Sequence, residues 1–522
     1  MASAINTSQP DFISSGILRF AGAVCLVLIL GWTWAFYGPH IIDDAYITFR
    51  FAKNIAQGQG IVYNPGEKIQ GSSSPLFMVI LGLCGALGLP IPSAALFLGI
   101  LANLCIIVLL VCAGILMKRE AAGWLAAMIL STQFIWVIIF VSGMETMAYA
   151  LVILLALLAV SEEKWSWIGP LSAIACLLRY DGLILAICVF AALLWRGGGK
   201  IFLREILKAA CVYLPWIIFS WVYFGSPVPQ SVRAKMLINF LSWKQVFEAY
   251  KIFLSFFPLS LLWMVFVLLG IIHTVRIKRT WIVFPLWMGL FLLAFILTRR
   301  PVAFYPWYLV PLFPPFFLLG TLGFFQGIER SLNFMEIRTS SHKDGIFIEV
   351  LKSWKVHRIS GVCILLVFVL SQMADLEEKK GEYGAYAFHR ERKYQKATAV
   401  LSERIKPGKS VYVGELGTIG WFLPEAYVID SSGLVSPQVT RIRRQDRENL
   451  LARGKSLEHF IDGSPDVTLQ VLEQLKPDYI LTDKKFLYID QIQTDPLFQE
   501  HYKEIDALRL SSMNIWAFQR KK

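Results

Sequence analysis

Two adjacent carboxylates, Asp43 and Asp44, stand near the start of the stretch IIDDAYITFRFAKNIAQGQGIVYNPGE, residues 41–67, directly after a hydrophobic run. A carboxylate within hydrogen-bond reach of a hydroxyl can take its proton as that oxygen attacks. Two further acids sit in short polar breaks, Glu145 in SGMET and Asp181 in RYDG. Cations accompany them: Arg50 and Lys53 in the opening stretch, Arg299 and Arg300 in TRRPVAFYPWY. Such groups neutralise the charge that grows on a departing phosphate. Aromatic side chains crowd the same motifs, among them Tyr46, Tyr63 and Tyr305, and their rings can stack on the C–H faces of sugars.

Each of these residues also has a plainer explanation. Carboxylates favour helix N-termini, which would account for the aspartate pair and for Glu145. Arg299 and Arg300 would serve as snorkelling anchors, and Asp181 would pair with its neighbour Arg179. Tyrosine and tryptophan are enriched at membrane interfaces whatever the protein does.

The element that positions the aspartates reads as a helix. No Pro or Gly interrupts residues 43–57, GQG then stops the helix and NPGE turns the chain. At 100° per residue, Asp43, Arg50 and Asn54 share one face, while Asp44 lies beside Ile47, Phe51 and Ile55 on the apolar stripe. The reading is a short amphipathic helix along a membrane, with Asp43 on its wet side.

A membrane follows from composition. Hydrophobic residues make up 56% of the 522 and charged ones 17%, against roughly 45–50% and about 25% in soluble domains, and the mean hydropathy is +0.56. Eleven runs have the length of spanning helices, from residues 17–37 to 359–373. The pair within 165–195 is the one most open to reading as a single kinked helix. A twelfth run, 75–89, is short and ends in PIP, and it reads as interfacial or re-entrant. With MKRE, WRGGGKIFLRE, RIKR and the basic stretch 330–358 cytoplasmic, alternation carries the aspartate pair, SGMET, RYDG, YFGSPVPQSVRAKM and TRRPVAFYPWY to the outer side.

The chain divides into a membrane part, residues 1–373, whose first outer loop spans 38–91, and a polar tail, 374–522, which the same parity places outside. The tail reads as α/β, with strands in SVYVGE, AYVID, PDYILTD and NIWAFQ and helices near 446–459 and 467–475. Its GELGTIG is not the dinucleotide fingerprint. The eight cysteines lie in hydrophobic runs without CxxC, which argues against a disulfide or zinc framework. The net charge of +13 is dispersed through short loops and fits anionic lipid rather than nucleic acid. The first run lacks a cleavage site and stays as a span, so the expected place is the inner (plasma) membrane of a bacterium.

Taken in order, DDAYITFRFAKNIAQGQGIVYNPGEKIQGSSSPL, SGMETMAYA, LLRYDG, YFGSPVPQSVRAK, RRPVAFYPWYLVPLFP and GELGTIGWFLPEAYVIDSSGLVSP resemble the polyprenyl-phosphate-dependent membrane glycosyltransferases of GT-C fold. The look is nearest to the branch holding the terminal arabinofuranosyltransferases. The resemblance implies a sugar transferase using a polyprenyl-phosphate sugar donor and a cell-envelope glycan or lipid hydroxyl as acceptor, inverting, with Asp43 at the base position, Asp44 as its neighbour and Glu145 as a second outer acid. It implies phosphate contacts from Arg50, Lys53, Arg299 and Arg300, and substrate contacts from Tyr46, Tyr63, Asp181 and Tyr305. No cofactor is required, a divalent cation being the one option, and no metal ligands are assigned. Two other classes compete: a transporter or flippase of lipid-linked sugars, which calls for internal repeats and paired broken helices, and a non-catalytic assembly or receptor protein.

Overall fold

The computed structural model describes residues 15–238, 243–244, 246–248, 251, 260–298, 306–339, 385–453, 464–483, 486–505, 510 and 514–521. The membrane part is helical: α1 Ser15–Tyr37, α2 Asp43–Ala56, α3 Pro75–Ala86, α4 Ile91–Leu116, α5 Glu120–Ser131, α6 Phe134–Phe140, α7 Thr146–Ser161, α8 Ile168–Leu178, α9 Gly182–Gly197, α10 Gly199–Phe224, α11 Gln230–Ile238, α12 Ser260–Ile277, α13 Val283–Leu297 and α14 Phe313–Thr339. Among the described residues, four helices are long and apolar enough to cross a membrane, or five when one bent pair counts as a single span, judged by length and composition. Six more apolar helices run 10–17 residues, fewer than the expected span length. The expected run 359–373 lies outside the described residues.

One of the expected runs changes shape for a local reason. Residues 121–141 form not one helix but α5 and α6, bent by 76°. Thr132 and Gln133 sit at the break, and both side chains donate to the Ile129 carbonyl, at 2.9 and 3.1 Å. The doubtful stretch 165–195 is two helices, α8 and α9, parted by Arg179–Asp181. The short run at 75–89 is the 12-residue α3, about 18 Å long. Glycine allows α12 and α14 to touch backbone to backbone: a Cβ at Gly270 would collide with the Leu319 carbonyl, and one at Gly323 with that of Phe266.

The tail holds a five-stranded sheet in the order β2-β1-β3-β5-β4, with β1 Ser410–Val413, β2 Tyr427–Asp430, β3 Tyr479–Asp483, β4 Tyr502–Glu504 and β5 Ile515–Arg520. The first three strands are parallel, and β5 runs antiparallel to β3 and β4. All four expected strands are present; β4, only three residues long, carries no pattern to read. Helices α15 Ala385–Ser402, α16 Gly417–Phe422, α17 Pro437–Ala452 and α18 Pro465–Leu475 surround the sheet, so the helix expected at 446–459 starts earlier, at Pro437.

Alternation along the strands makes two cores. Tyr412, Ile429 and Ile480 pack beneath α17 and α18. Val411, Val413, Val428 and Leu481 point the other way and share a core with Ile47, Phe51, Tyr63 and Met78 of the membrane part. Helix α2 is a wedge between that core and the membrane core, to which it gives Ala45, Phe49 and Ala52. The tail is therefore fused to the loop that follows α1.

Candidate functional site

Helix α2 is covered on nearly every side, which corrects the expectation of a wet face. Asp43 is 4% exposed. Its carboxylate accepts from the Thr418 N–H at 2.7 Å and the Gly417 N–H at 3.1 Å. Asp43 thus caps α16 across 374 residues of sequence instead of its own helix. Glycine is required at that approach, because a Cβ at Gly417 would strike the Asp43 carbonyl and one at Gly420 the Tyr63 hydroxyl. These are two of the three glycines of GELGTIG.

Arg50 lies in the same seam, 2% exposed. Its guanidinium donates to the carbonyls of Tyr63 (2.9 Å), Gly420 (2.7 Å) and Ala426 (2.8 Å) and stacks on the Tyr63 ring at 4.5 Å. With its donors turned to carbonyls, Arg50 ties the loop to the tail. Tyr63 is likewise engaged, its hydroxyl donating to the Leu416 carbonyl at 2.6 Å. Asn64 pairs with both backbone groups of Val428, at 2.9 and 3.0 Å, like an added strand residue beside β2.

Next to Asp43 the seam holds a buried charge cluster contributed by the tail. Arg390 contacts Glu415 at 2.8 Å and Glu391 at 2.9 Å, and Glu391 accepts from the Asp43 N–H at 3.3 Å. Burial pushes the Glu415 carboxyl up to about 8, Asp43 and Glu391 adding to the rise and Arg390 opposing it.

Asp44 turns elsewhere and is only half-buried. Burial raises its carboxyl above the ordinary carboxylate range and Asp43 adds to that, while Lys235, Arg390 and Arg179 pull it down. Around it stand residues from three other breaks in the chain. Arg179, between α8 and α9, donates to Glu145 at 3.1 Å and to Asp181 at 3.1 Å, and lies 4.8 Å above the Tyr308 ring. Lys235 on α11 donates to the Tyr308 hydroxyl at 3.1 Å. Its own burial is outweighed by Tyr308 and Asp44, which hold it charged. Glu145, 5% exposed, is raised by burial and lowered by Arg179.

The placing of Lys235 depends on the tail. Gln230 at the start of α11 donates its backbone N–H to the Gln70 carbonyl, and its side chain to Gly433 and Thr440, at 2.9, 2.9 and 2.7 Å. Helix α11 is thereby pinned between the first loop and α17.

The structure brings together Asp44, Glu145 and Asp181 of the expected set and leaves Asp43, Arg50 and Tyr63 in the seam. Tyr46 and Lys53 lie on a third side, facing the α16 rings: Tyr46 meets Trp421 and Phe422 at 6.1 and 5.7 Å, and Lys53 sits 5.6 Å over Trp421. Arg299, Arg300 and Tyr305 lie outside the described residues. Sequence reasoning passed over Lys235 although it stands in the quoted YFGSPVPQSVRAKM, and used Arg179 only as a partner for Asp181. Arg390 and Glu391 fall in the charged run HRERK, which singles out no one residue, and Glu415 stands in GELGTIG, where only the glycine spacing offers a signal. Among the described residues no group of three or more His, Cys, Asp or Glu side chains has the geometry to hold a metal ion.

Three comparisons bear on this arrangement. Residues 384–520 match a family model described as Domain of unknown function (DUF8728). No curated protein matches the chain. Among solved structures, ArnT from Cupriavidus metallidurans bound to undecaprenyl phosphate is 13% identical with a TM-score of 0.56, covering 97% of this chain and 98% of that one. The apo state of the same protein is 13% identical with a TM-score of 0.54, over 92% and 94%. The likeness lends no support to the arabinofuranosyltransferase-like branch. It does extend over nearly the whole chain, membrane part and tail together, and the chain has the GT-C fold of a multi-pass membrane protein.

Proposed function

We propose that this protein transfers a sugar from a polyprenyl-phosphate donor to a hydroxyl of a glycan or lipid acceptor of the cell envelope, with Asp44 as general base. The observation that carries the reading is the half-buried Asp44 set among Lys235, Arg179 and Glu145. The fold adds to it, since the ArnT of similar structure was crystallised with undecaprenyl phosphate.

In this reading the acceptor oxygen attacks the anomeric carbon as its proton passes to Asp44. The bond from that carbon to the phosphate oxygen breaks, and polyprenyl phosphate leaves with the electron pair. A single displacement inverts the anomeric centre. The raised carboxyl of Asp44 makes it a stronger base than an exposed aspartate, and the cations Lys235 and Arg179 beside it favour its ionised form. Lys235 and Arg179 take up the charge of the leaving phosphate. Arg179 arrives already held by Glu145 and Asp181, so its guanidinium needs little rearrangement. Glu145 is then a positioning residue. The site, the first loop and the tail lie, in this account, on the extracytoplasmic side of a bacterial plasma membrane, as the basic loops suggest.

The test is turnover. Purified protein is given radiolabelled polyprenyl-phosphate sugars of several kinds with an envelope extract as acceptor. Labelled glycan or glycolipid with release of free polyprenyl phosphate is the expected result, and the sugar consumed fixes the donor. Movement of intact lipid-linked sugar across vesicles without release supports the flippase instead.

A further inference from the structure

A second feature lies at the far end of the membrane part. Helix α9 begins beside Asp181 and ends near Trp195, and α13 begins beside Ile282 and ends near Phe295, whose ring lies 5.7 Å from that of Tyr308. These helices have 16 and 15 residues, about 24 and 22 Å of rise. The end at Trp195 and Ile282 is therefore about one helix length from the Asp44 cluster.

A cavity of about 450 Å³ opens there, lined by Trp195, Val275, Arg276, Arg279 and Ile282. Its charge is not balanced by the described residues around it. The two nearby carboxylates are already matched, Glu162 with Lys278 at 2.9 Å and Glu163 with Arg196 at 3.8 Å. Among the described residues, neither Arg276 nor Arg279 has a carboxylate partner. Apolar, outward-facing side chains adjoin these charges: Trp195 is 60% exposed, Ile277 55%, Leu194 55% and Leu286 44%.

We propose that this cavity seats the phosphate of an anionic membrane phospholipid between Arg276 and Arg279, with Trp195 at headgroup level and the acyl chains along Val275 and Ile282. The argument is a match of both walls at once. Two arginines in one cavity present forked donors suited to phosphate oxygens. The exposed leucine and isoleucine side chains beside them suit hydrocarbon, which a free phosphate does not bring. Tryptophan at the rim is the residue type that prefers the boundary between the two, and basic pockets at helix ends take anionic headgroups in this way. The site is independent of the transfer reaction and shares no residue with it.

The experiment uses the full chain in detergent micelles. Phosphatidylglycerol, phosphatidylcholine and inorganic phosphate are titrated separately, and bound lipid is counted by native mass spectrometry. The protein should retain phosphatidylglycerol in preference to phosphatidylcholine, and the exposed-site double variant Arg276→Gln/Arg279→Gln should bind phosphatidylglycerol roughly ten- to a hundredfold more weakly, as expected for loss of charge-assisted contacts. A control with equal charge loss in other basic loops, Lys118→Gln/Lys200→Gln, should keep the preference. Equal retention by wild type and the arginine variant overturns the proposal. So does an equal loss in the control, which would mean unspecific attraction, and so does displacement of the lipid by millimolar inorganic phosphate, which would make this a free-phosphate site.

Discussion

Asp43 and Asp44 differ by one position and by 100° around a helix, and that rotation gives them different partners. Asp43 spends both oxygens on backbone N–H groups of α16, whereas Asp44 faces Lys235 and Arg179. The sequence announces an acidic pair on a helix, and it announces Glu145 and Asp181 in polar breaks. It does not divide the labour within the pair, because the α16 N-terminus that claims Asp43 is 374 residues away and no local periodicity reports it. That long-range contact is why the proposed mechanism assigns the base to Asp44 where the resemblance implied Asp43. Lys235 shows the complementary failure: one lysine in a Pro-rich motif has no spacing that marks it, and only the pinning of α11 gives it a role. Under the proposed mechanism Lys235→Met should weaken donor binding by about 1.5–3 kcal/mol, read as retention of a polyprenyl-phosphate probe. Unchanged retention would remove Lys235 from the phosphate site.

At the scale of elements, the seam between α2 and α16 is the feature that the sequence showed only in fragments. The helix over residues 43–56 was legible from its breakers, and GELGTIG was visible as a glycine motif without a purpose. Its purpose is close approach, since Gly417 and Gly420, one turn apart on α16, meet the Asp43 carbonyl and the Tyr63 hydroxyl. Arg50 closes the seam from the other side, and Arg50→Met leaves three carbonyls without their charged donor. The variant should lose at least about 3 kcal/mol of stability, measured by chemical denaturation in detergent; a loss under 1 kcal/mol would mean that water replaces the guanidinium. The seam also carries a pH dependence. Burial raises the Glu415 carboxyl from 4.5 to about 8, so between those values the folded protein holds a proton that the unfolded chain has released. Stability should therefore fall as pH rises through that window. Thermal unfolding from pH 5 to 9 should show the decline in wild type and a flatter profile in Glu415→Gln. Parallel profiles would assign the slope to other groups.

For the whole molecule, composition made the membrane part plain and alternation made four of the five strands plain, but their union was not written in either. Ile47, Phe51, Tyr63 and Met78 lie in the core of the tail sheet, which only the folded chain reveals, and the merging explains how the loop after α1 and the C-terminal domain come to hold the two aspartates between them. In a cysteine-free background, Gln59→Cys and Glu425→Cys should react together with an impermeant outside label, while Lys200→Cys, beyond α9, should stay protected. Reaction of Lys200→Cys alongside Gln59→Cys would overturn the assigned sidedness. Under the proposed mechanism the tail engages one aspartate so that the other can do the chemistry, and sugar transfer by the two asparagine variants separates those roles. Asp44→Asn should fold, retain donor lipid and lose 10²–10⁴-fold in turnover, roughly the contribution of a general base. Asp43→Asn keeps an oxygen for the α16 cap and should retain most of its turnover with stability lowered by about 1 kcal/mol. A well-folded Asp43→Asn without turnover beside an active Asp44→Asn would contradict the account.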